Sequence, residues 1–212
     1  MDAEKVLSFF KFIGQLKEIE RFKDQYFWKD YPHKKERESV ADHTWRMAMM
    51  LVVLEPHLSR PLNLGNALKM CLVHDLPEII AGDASPLGSD GTGKDGHHYN
   101  EAVAAKRYEE EKAAAKKIFS QLPDTGEELY KLWIEFEEQK TFEAQVVKAM
   151  DKLEGKLQAA EYLGGVMFKE HLPFNLAYGI KYFEVDPAVK ELSELVLKEF
   201  TNNYKEFTKE AQ

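Results

Sequence analysis

Apolar residues return at three- and four-residue intervals along almost the whole chain, and no run alternates as a half-buried strand requires. Val6, Phe9, Phe10, Ile13 and Leu16 set this period over residues 3–20. Ser39, with Asp42 three residues on, has the form of a capping box opening a second helix to about residue 57, where Pro56 and Pro61 frame the exit. Asn63 caps a third helix through residue 80. Its middle, Met70-Cys71-Leu72-Val73, is apolar all round and predicts a central, buried element, with Gly82 as its stop. Further helices are predicted over 100–121, 124–138, 142–163 and 187–204. Residues 21–38 are rich in aromatics and charges without a period and read as a long loop. Residues 83–98, with Pro86, Gly88, Gly91, Gly93 and Gly96, read as a flexible one. No repeat or linker divides residues 1–212, so a single all-α domain is expected.

With 212 residues, 44% of them hydrophobic, the chain can bury a full core. A formal charge of -8 disfavours a partner that is a nucleic acid polymer but not a single nucleotide, whose phosphate a metal ion and a few local cations can neutralise. Cys71 is the lone cysteine, so no disulfide forms within the chain, which fits a reducing compartment. Asp2, Glu4, Lys5, Lys11 and Lys17 break up any secretory apolar segment, and no apolar run is long enough to span a bilayer. The expectation is a soluble, cytoplasmic protein without a membrane partner.

His74 and Asp75 stand together in the most apolar helix of the chain. A carboxylate buried there is costly unless a cation or several donors compensate it. Helical spacing brings Glu78 beside both, and Pro77 should bend the helix at this point. His43 flanks the apolar stripe Val40, Met47, Leu51 and Leu54. Asp151 flanks the stripe Val146, Met150, Leu153 and Leu157. Taken singly, an inward histidine is more often a satisfied core residue, and an aspartate on a helix edge a solvated one. Taken together, two imidazoles and two carboxylates suit one divalent ion (Mn, Fe, Co, Ni, Zn or Mg) with positions left for water and a phosphate oxygen.

The segment 38–48, Glu38-Ser39-Val40-Ala41-Asp42-His43-Thr44-Trp45-Arg46-Met47-Ala48, resembles the first motif of the HD-domain phosphohydrolases. Residues 73–83, around His74-Asp75, resemble their second motif, and Lys148-Ala149-Met150-Asp151-Lys152-Leu153-Glu154 is similar to the third. The likeness covers roughly residues 35–160 and is to the branch of the 5'-deoxynucleotidases and the HD domain-containing protein 2 group. It implies an HD-type helical bundle with the metal between central helices, held by His43, His74, Asp75 and Asp151. Glu78 would work on the attacking water, and Asp83 would position substrate or water. The implied reaction is metal-dependent release of phosphate from (deoxy)nucleoside 5'-monophosphates. Nucleoside triphosphates or signalling nucleotides, or a non-catalytic metal- or nucleotide-binding role, are the alternatives. The resemblance also implies a homodimer, for which the apolar stripes of the first and last helices are candidate surfaces.

Substrate contacts are less defined. The branch carries an Arg-Trp pair before the first motif. Here Arg21-Phe22, the cluster Tyr26-Phe27-Trp28 and Arg37 stand in that region, making Arg21, Trp28 and Arg37 candidates. Lys106 and Arg107 open a charged run that could reach a phosphate or form a solvated ladder; Lys106 is taken as the candidate. An acidic residue upstream of Asp151 falls on Glu135 or Glu137, with Glu135 the candidate. His97 and His98 read as exposed loop histidines. His33, His57 and His171 carry no functional reading, and Cys71 reads as buried and inert.

Overall fold

The structure, a computed structural model, describes residues 3–22, 38–88, 91–161 and 166–206. Its helices are α1 (Ala3–Ile13), α2 (Val40–Leu54), α3 (Leu64–Val73), α4 (Glu78–Ala81), α5 (Glu101–Phe119), α6 (Gly126–Glu138), α7 (Phe142–Glu161), α8 (Leu172–Ala177) and α9 (Pro187–Asn203). Tighter 3-10 turns follow α1 and α2 and flank α8. The expected first helix therefore ends early: at Gly14, a poor helix former, it tightens into a 3-10 segment through Glu18. Among the described residues no helix is long and apolar enough to cross a membrane.

Helix starts follow local chemistry. The Ser39 hydroxyl accepts from the Asp42 amide at 3.2 Å, and the Asp42 carboxylate accepts from the Ser39 amide at 2.9 Å, completing the expected capping box. Asn63 caps α3, and Asn100 and Asp186 cap α5 and α9, through side-chain oxygens that accept from free amides of the first turn.

The most enclosed helix is α7, not α3. Val146, Val147, Ala149, Met150 and Leu153 are fully buried there, whereas Leu72 on α3 is 56% exposed. An apolar residue in a helix still needs a neighbour on its own side, and among the described residues α3 has too little over Leu72 to bury it. One core cluster joins Met47 and Leu51 of α2, Met70 of α3, Phe136 of α6, Met150 and Leu153 of α7 and Val189 of α9. A second joins Phe9, Leu16, Val40, Val73, Ile118, Phe119 and Trp133. Truncating Trp133, which is fully buried, should cost about 3–5 kcal/mol.

Two regions differ from expectation. Residues 166–185, for which no element was predicted, hold α8 between 3-10 turns, and Val166–Met167 pairs in parallel with Lys205–Glu206. Elements this short carry too few residues to show a period. The glycine-rich loop is also closely packed: Gly93 lies against the Phe174 ring and Gly91 against the His171 ring, both at positive φ where a side chain would clash. Its glycines serve close approach to α8.

Candidate metal centre

Three elements meet at His43, His74, Asp75 and Asp151. His43 lies in the first turns of α2 and is fully buried. Pro77 has no amide hydrogen, so the helix predicted through residue 80 breaks after Val73. The chain between runs on i to i+3 bonds: Leu76 to Val73 at 3.2 Å, Glu78 to Asp75 at 3.0 Å and Ile79 to Leu76 at 3.2 Å. This tight turn lets His74, Asp75 and Glu78 all face one cavity. Asp151 comes from the middle of α7.

The imidazole centroids of His43 and His74 are 5.6 Å apart. His43 Nε2 lies 3.6 Å from Asp151 Oδ1 and 3.8 Å from Asp75 Oδ2, and His74 Nε2 lies 3.1 Å from Asp75 Oδ2. Ligand atoms of His43, His74 and Asp75 lie within 4.8 Å of one another. Both Nε2 atoms are buried and neither makes a hydrogen bond. Their other nitrogens are committed. His74 Nδ1 donates to the Cys71 carbonyl at 2.7 Å, and His43 Nδ1 donates to Glu154. These bonds fix the tautomer that leaves each Nε2 lone pair facing the shared centre, as metal-binding histidines require. Phe136 meets the His74 ring edge-on at 5.1 Å, and Trp133 Nε1 donates to the His74 backbone carbonyl at 3.1 Å, anchoring the main chain that carries the ring.

Glu154 extends the centre outward, and the sequence reading gave it no role. It is fully buried and accepts from Arg46 Nε at 2.8 Å and from Arg21 Nη1 at 3.0 Å, besides His43. Its place one turn beyond Asp151, in a helix stripe otherwise buried, was the available signal.

The charges explain one another. Burial would raise Asp75, but the charges of His74 and His43 beside it hold it well below the usual carboxylate range. Burial would likewise raise Asp151, but Lys152, His43 and Lys148 hold it well below. Burial and the Arg21 charge push His43 down, and the nearby Asp151 carboxylate with the bonded Glu154 outweighs them, raising it to about 9. These carboxylates thus demand a cation, which a proton on His43 supplies unless a metal replaces it. Glu78 goes the other way: burial, then repulsion by Asp75 and Asp83, push its carboxyl well above the usual range, against the pull of Arg107. Orphaned lone pairs beside carboxylates that stay ionised fit a divalent metal.

The centre opens into a cavity of about 410 Å³, within the range of small-molecule sites. Glu78, Asp83 and Arg21 line it as expected. Arg21 is set there by an antiparallel bridge between Glu20 and Ser39 and by its 2.7 Å bond to Glu38. Trp28 and Arg37 lie outside the described residues. Two candidates prove misplaced. The Lys106 side chain is 79% exposed and pairs with Glu110, while its neighbour Arg107 turns into the cavity, 3.6 Å from Glu78 Oε1. Glu135 accepts from the Thr141 hydroxyl at 2.6 Å, and Thr141 in turn caps α7, so Glu135 is held at the helix start; Glu137 lines the cavity instead. His97 and His98 are half-buried lining residues and not exposed ones. Burial raises the Cys71 thiol far above its usual range, consistent with an inert residue.

Helices of this order around a centre of two histidines and two aspartates define a class, and the sequence comparisons agree on which. The chain belongs to the HD domain family, whose profile matches residues 13–193. It is 39% identical over 161 residues to 5'-deoxynucleotidase HDDC2 of Homo sapiens, covering 76% of this chain and 69% of that protein. To 5'-deoxynucleotidase hdd1 of Schizosaccharomyces pombe it is 31% identical over 165 residues, covering 76% of each. Among solved structures it resembles the PH0347 protein from Pyrococcus horikoshii OT3, with TM-score 0.66 at 26% identity over 93% of this chain and 99% of that one. The fold is shared with a predicted metal-dependent phosphohydrolase from Magnetospirillum magnetotacticum MS-1, with TM-score 0.69 at 24% identity over 95% and 96% of the two chains.

Proposed function

We infer that this chain is a metal-dependent phosphohydrolase that releases inorganic phosphate from nucleoside 5'-monophosphates. The observation that carries the reading is the pair of buried, unpartnered Nε2 atoms of His43 and His74 converging with Asp75 and Asp151 at the wall of a cavity that also holds Glu78. The names of its relatives supply the substrate class.

His43, His74, Asp75 and Asp151 would hold one divalent ion. Once bound, the ion offsets phosphoryl charge and lowers the pKa of water at its open positions. The protein's own groups do the rest. Glu78, beside His74 and Asp75 in the turn, holds and releases a proton at a carboxyl that burial and the neighbouring Asp75 and Asp83 raise well above the usual carboxylate range. Arg107, bonded to Glu111 at 2.6 Å and near Glu78, and Arg21, bonded to Glu38 and Glu154, are cations fixed in place to receive phosphate oxygens. Asp83 shares the Glu78 wall and orients water or substrate.

A homodimer is part of this reading. Leu7 and Phe10 on α1 and Trp45, Met49 and Val53 on α2 are exposed apolar residues that a second copy would cover. Light scattering tests it, with a monomer as the contrary outcome. A cytoplasmic location rests on the single, buried thiol.

The test is a nucleotide-by-metal screen on chelator-stripped protein. Phosphate release should return with a divalent ion and be lost in Glu78→Ala. No turnover of any 5'-monophosphate with any metal would overturn the reading.

A further inference from the structure

Three lysines of α7, Lys148, Lys152 and Lys156, recur every four residues and all line the cavity. Two of them answer to carboxylates. Lys152 Nζ lies 3.0 Å from Asp151 Oδ2, and Lys148 Nζ lies 3.8 Å from both Asp151 Oδ2 and Glu137 Oε1. Lys156 is different. It is only 4% exposed, and among the described residues no carboxylate pairs with it. Its ammonium donates to the Asn175 carbonyl near the end of α8 and lies 5.7 Å from the Tyr178 ring centroid, the same ring that Lys152 approaches at 5.1 Å.

A single carbonyl is a thin return for burying an ammonium. Capping α8 needs one donor, and among the described residues the remaining donors of the ammonium have no anion to meet. The surroundings are already positive. Burial, then Arg107 and Lys152, depress His97 to about 4, and burial with the Lys152 charge depresses Lys156 to about 7. A cationic, half-closed wall of this kind is a place for a ligand anion.

The backbone spacing points to which anion. Lys156 is five residues beyond Asp151, so its Cα stands about 7.5 Å further along the helix axis. A second phosphate joined to the scissile one by a bridging oxygen would stay beside the metal centre. A phosphate on the far side of the sugar reaches further. The aromatic rings of Phe174 and Tyr178, stacked at 5.2 Å next to this lysine, offer a face for the rest of the nucleoside.

We propose that Lys156 is a second anion subsite, and that the preferred substrate is a nucleoside 5'-phosphate carrying a further phosphate on its sugar, of the nucleoside 3',5'-bisphosphate class. This rests on the phosphohydrolase reading above. In the reaction, water adds to the 5' phosphorus, the bond from phosphorus to the sugar 5' oxygen breaks, and that oxygen takes a proton. The products are inorganic phosphate and the nucleoside 3'-phosphate, with the second phosphate still on Lys156.

The experiment compares kcat/KM for a nucleoside 3',5'-bisphosphate, the same nucleoside 5'-monophosphate and its 5'-diphosphate, using the metal-loaded full chain. The wild type should favour the bisphosphate by about tenfold or more, the size of one charge-assisted hydrogen bond, and the gain should lie in KM. Lys156→Gln should bring bisphosphate and monophosphate level, and Lys156→Arg should keep the preference. No preference in the wild type, a preference for the 5'-diphosphate, or a preference unchanged in Lys156→Gln overturns the proposal. A second arm does not need turnover. Calorimetry on chelator-treated full chain should show a nucleoside 3'-monophosphate binding more tightly than the nucleoside, and Lys156→Gln, checked by its melting curve to be folded, should remove the difference. Binding that depends on Lys156 without any turnover would leave the subsite standing and sink the phosphohydrolase reading. Equal binding of the two ligands to wild type would sink the subsite.

Discussion

At one end of the cavity every buried charge meets an opposite. Asp75 faces His43 and His74, Asp151 faces His43 and Lys152, and Glu154 faces His43, Arg21 and Arg46. At the other end Lys156 is buried, with a carbonyl and an aromatic face as its partners among the described residues. The first arrangement is a network, in which removing one member leaves others exposed to the full cost of burial. The second is a local device, in which one side chain can change alone. Substitutions at the two ends should therefore differ in what they disturb.

The largest effect is expected at Glu78, the residue proposed to move a proton. Glu78→Gln should lower kcat by roughly 10²–10⁴-fold, the usual contribution of a positioned acid or base. Its metal content, measured by elemental analysis, should be unchanged, because Glu78 is outside the set of His43, His74, Asp75 and Asp151. Loss of the metal along with activity would show that the network extends to Glu78.

Next comes Glu154, which touches the metal set only through His43. Glu154→Gln should weaken metal affinity by about 10- to 100-fold in a competition titration, the usual cost of changing the group that orients a ligating histidine. The neutral side chain no longer fixes the His43 tautomer with a charge and leaves Arg21 and Arg46 without a shared anion. Unaltered affinity would mean that Arg21 and Glu38 alone hold the ring's surroundings.

This division also decides what could be seen in the sequence. The metal end was legible because its chemistry needs particular residue types at fixed helical spacings: His43, His74-Asp75 with Glu78, and Asp151 are each weak alone and point to a site only together and through the motifs they resemble. Capping residues such as Ser39 and Asn63 were legible for the same reason, since each acts within four residues of itself. Glu154 was missed because its role depends on His43 and Arg46, more than a hundred residues away. Arg107 and Lys106 could not be told apart, because the period of α5 is weak and only packing on α4 shows which of two adjacent cations turns inward. Lys156 carried no signal, because its partners Asn175 and Tyr178 lie in a region whose short elements carry no period.

A smaller effect should expose the lysine end through pH. Lys156 is held at about 7 by burial and Lys152, far below the usual lysine value. Between pH 7 and the ordinary lysine range the unfolded chain then binds a proton that the folded chain does not, so stability rises with pH across that window. The rise should be about 2 kcal/mol from pH 7 to 9, and urea unfolding of Lys156→Met should lack it. Below pH 7 both states carry the proton, and the two proteins should share one slope. A slope that survives the substitution would assign the effect to another group.

The smallest contrast separates two neighbours on α5. Lys106 is exposed and pairs only with Glu110, so its charge is screened, and Lys106→Ala should change kcat/KM by less than about twofold. Arg107 is 21% exposed, bonds Glu111 at 2.6 Å and faces Glu78 across 3.6 Å, so a phosphate entering the cavity meets it already oriented. Arg107→Ala should raise KM for a 5'-monophosphate by roughly tenfold through the lost charge-assisted contact. It also takes away the cation that draws Glu78 down, so the acidic limb of the pH–rate profile should move to higher pH. That second readout separates Arg107 from a cation that merely attracts substrate from a distance: long-range attraction would change KM and fade with salt, but would leave the Glu78 limb where it is.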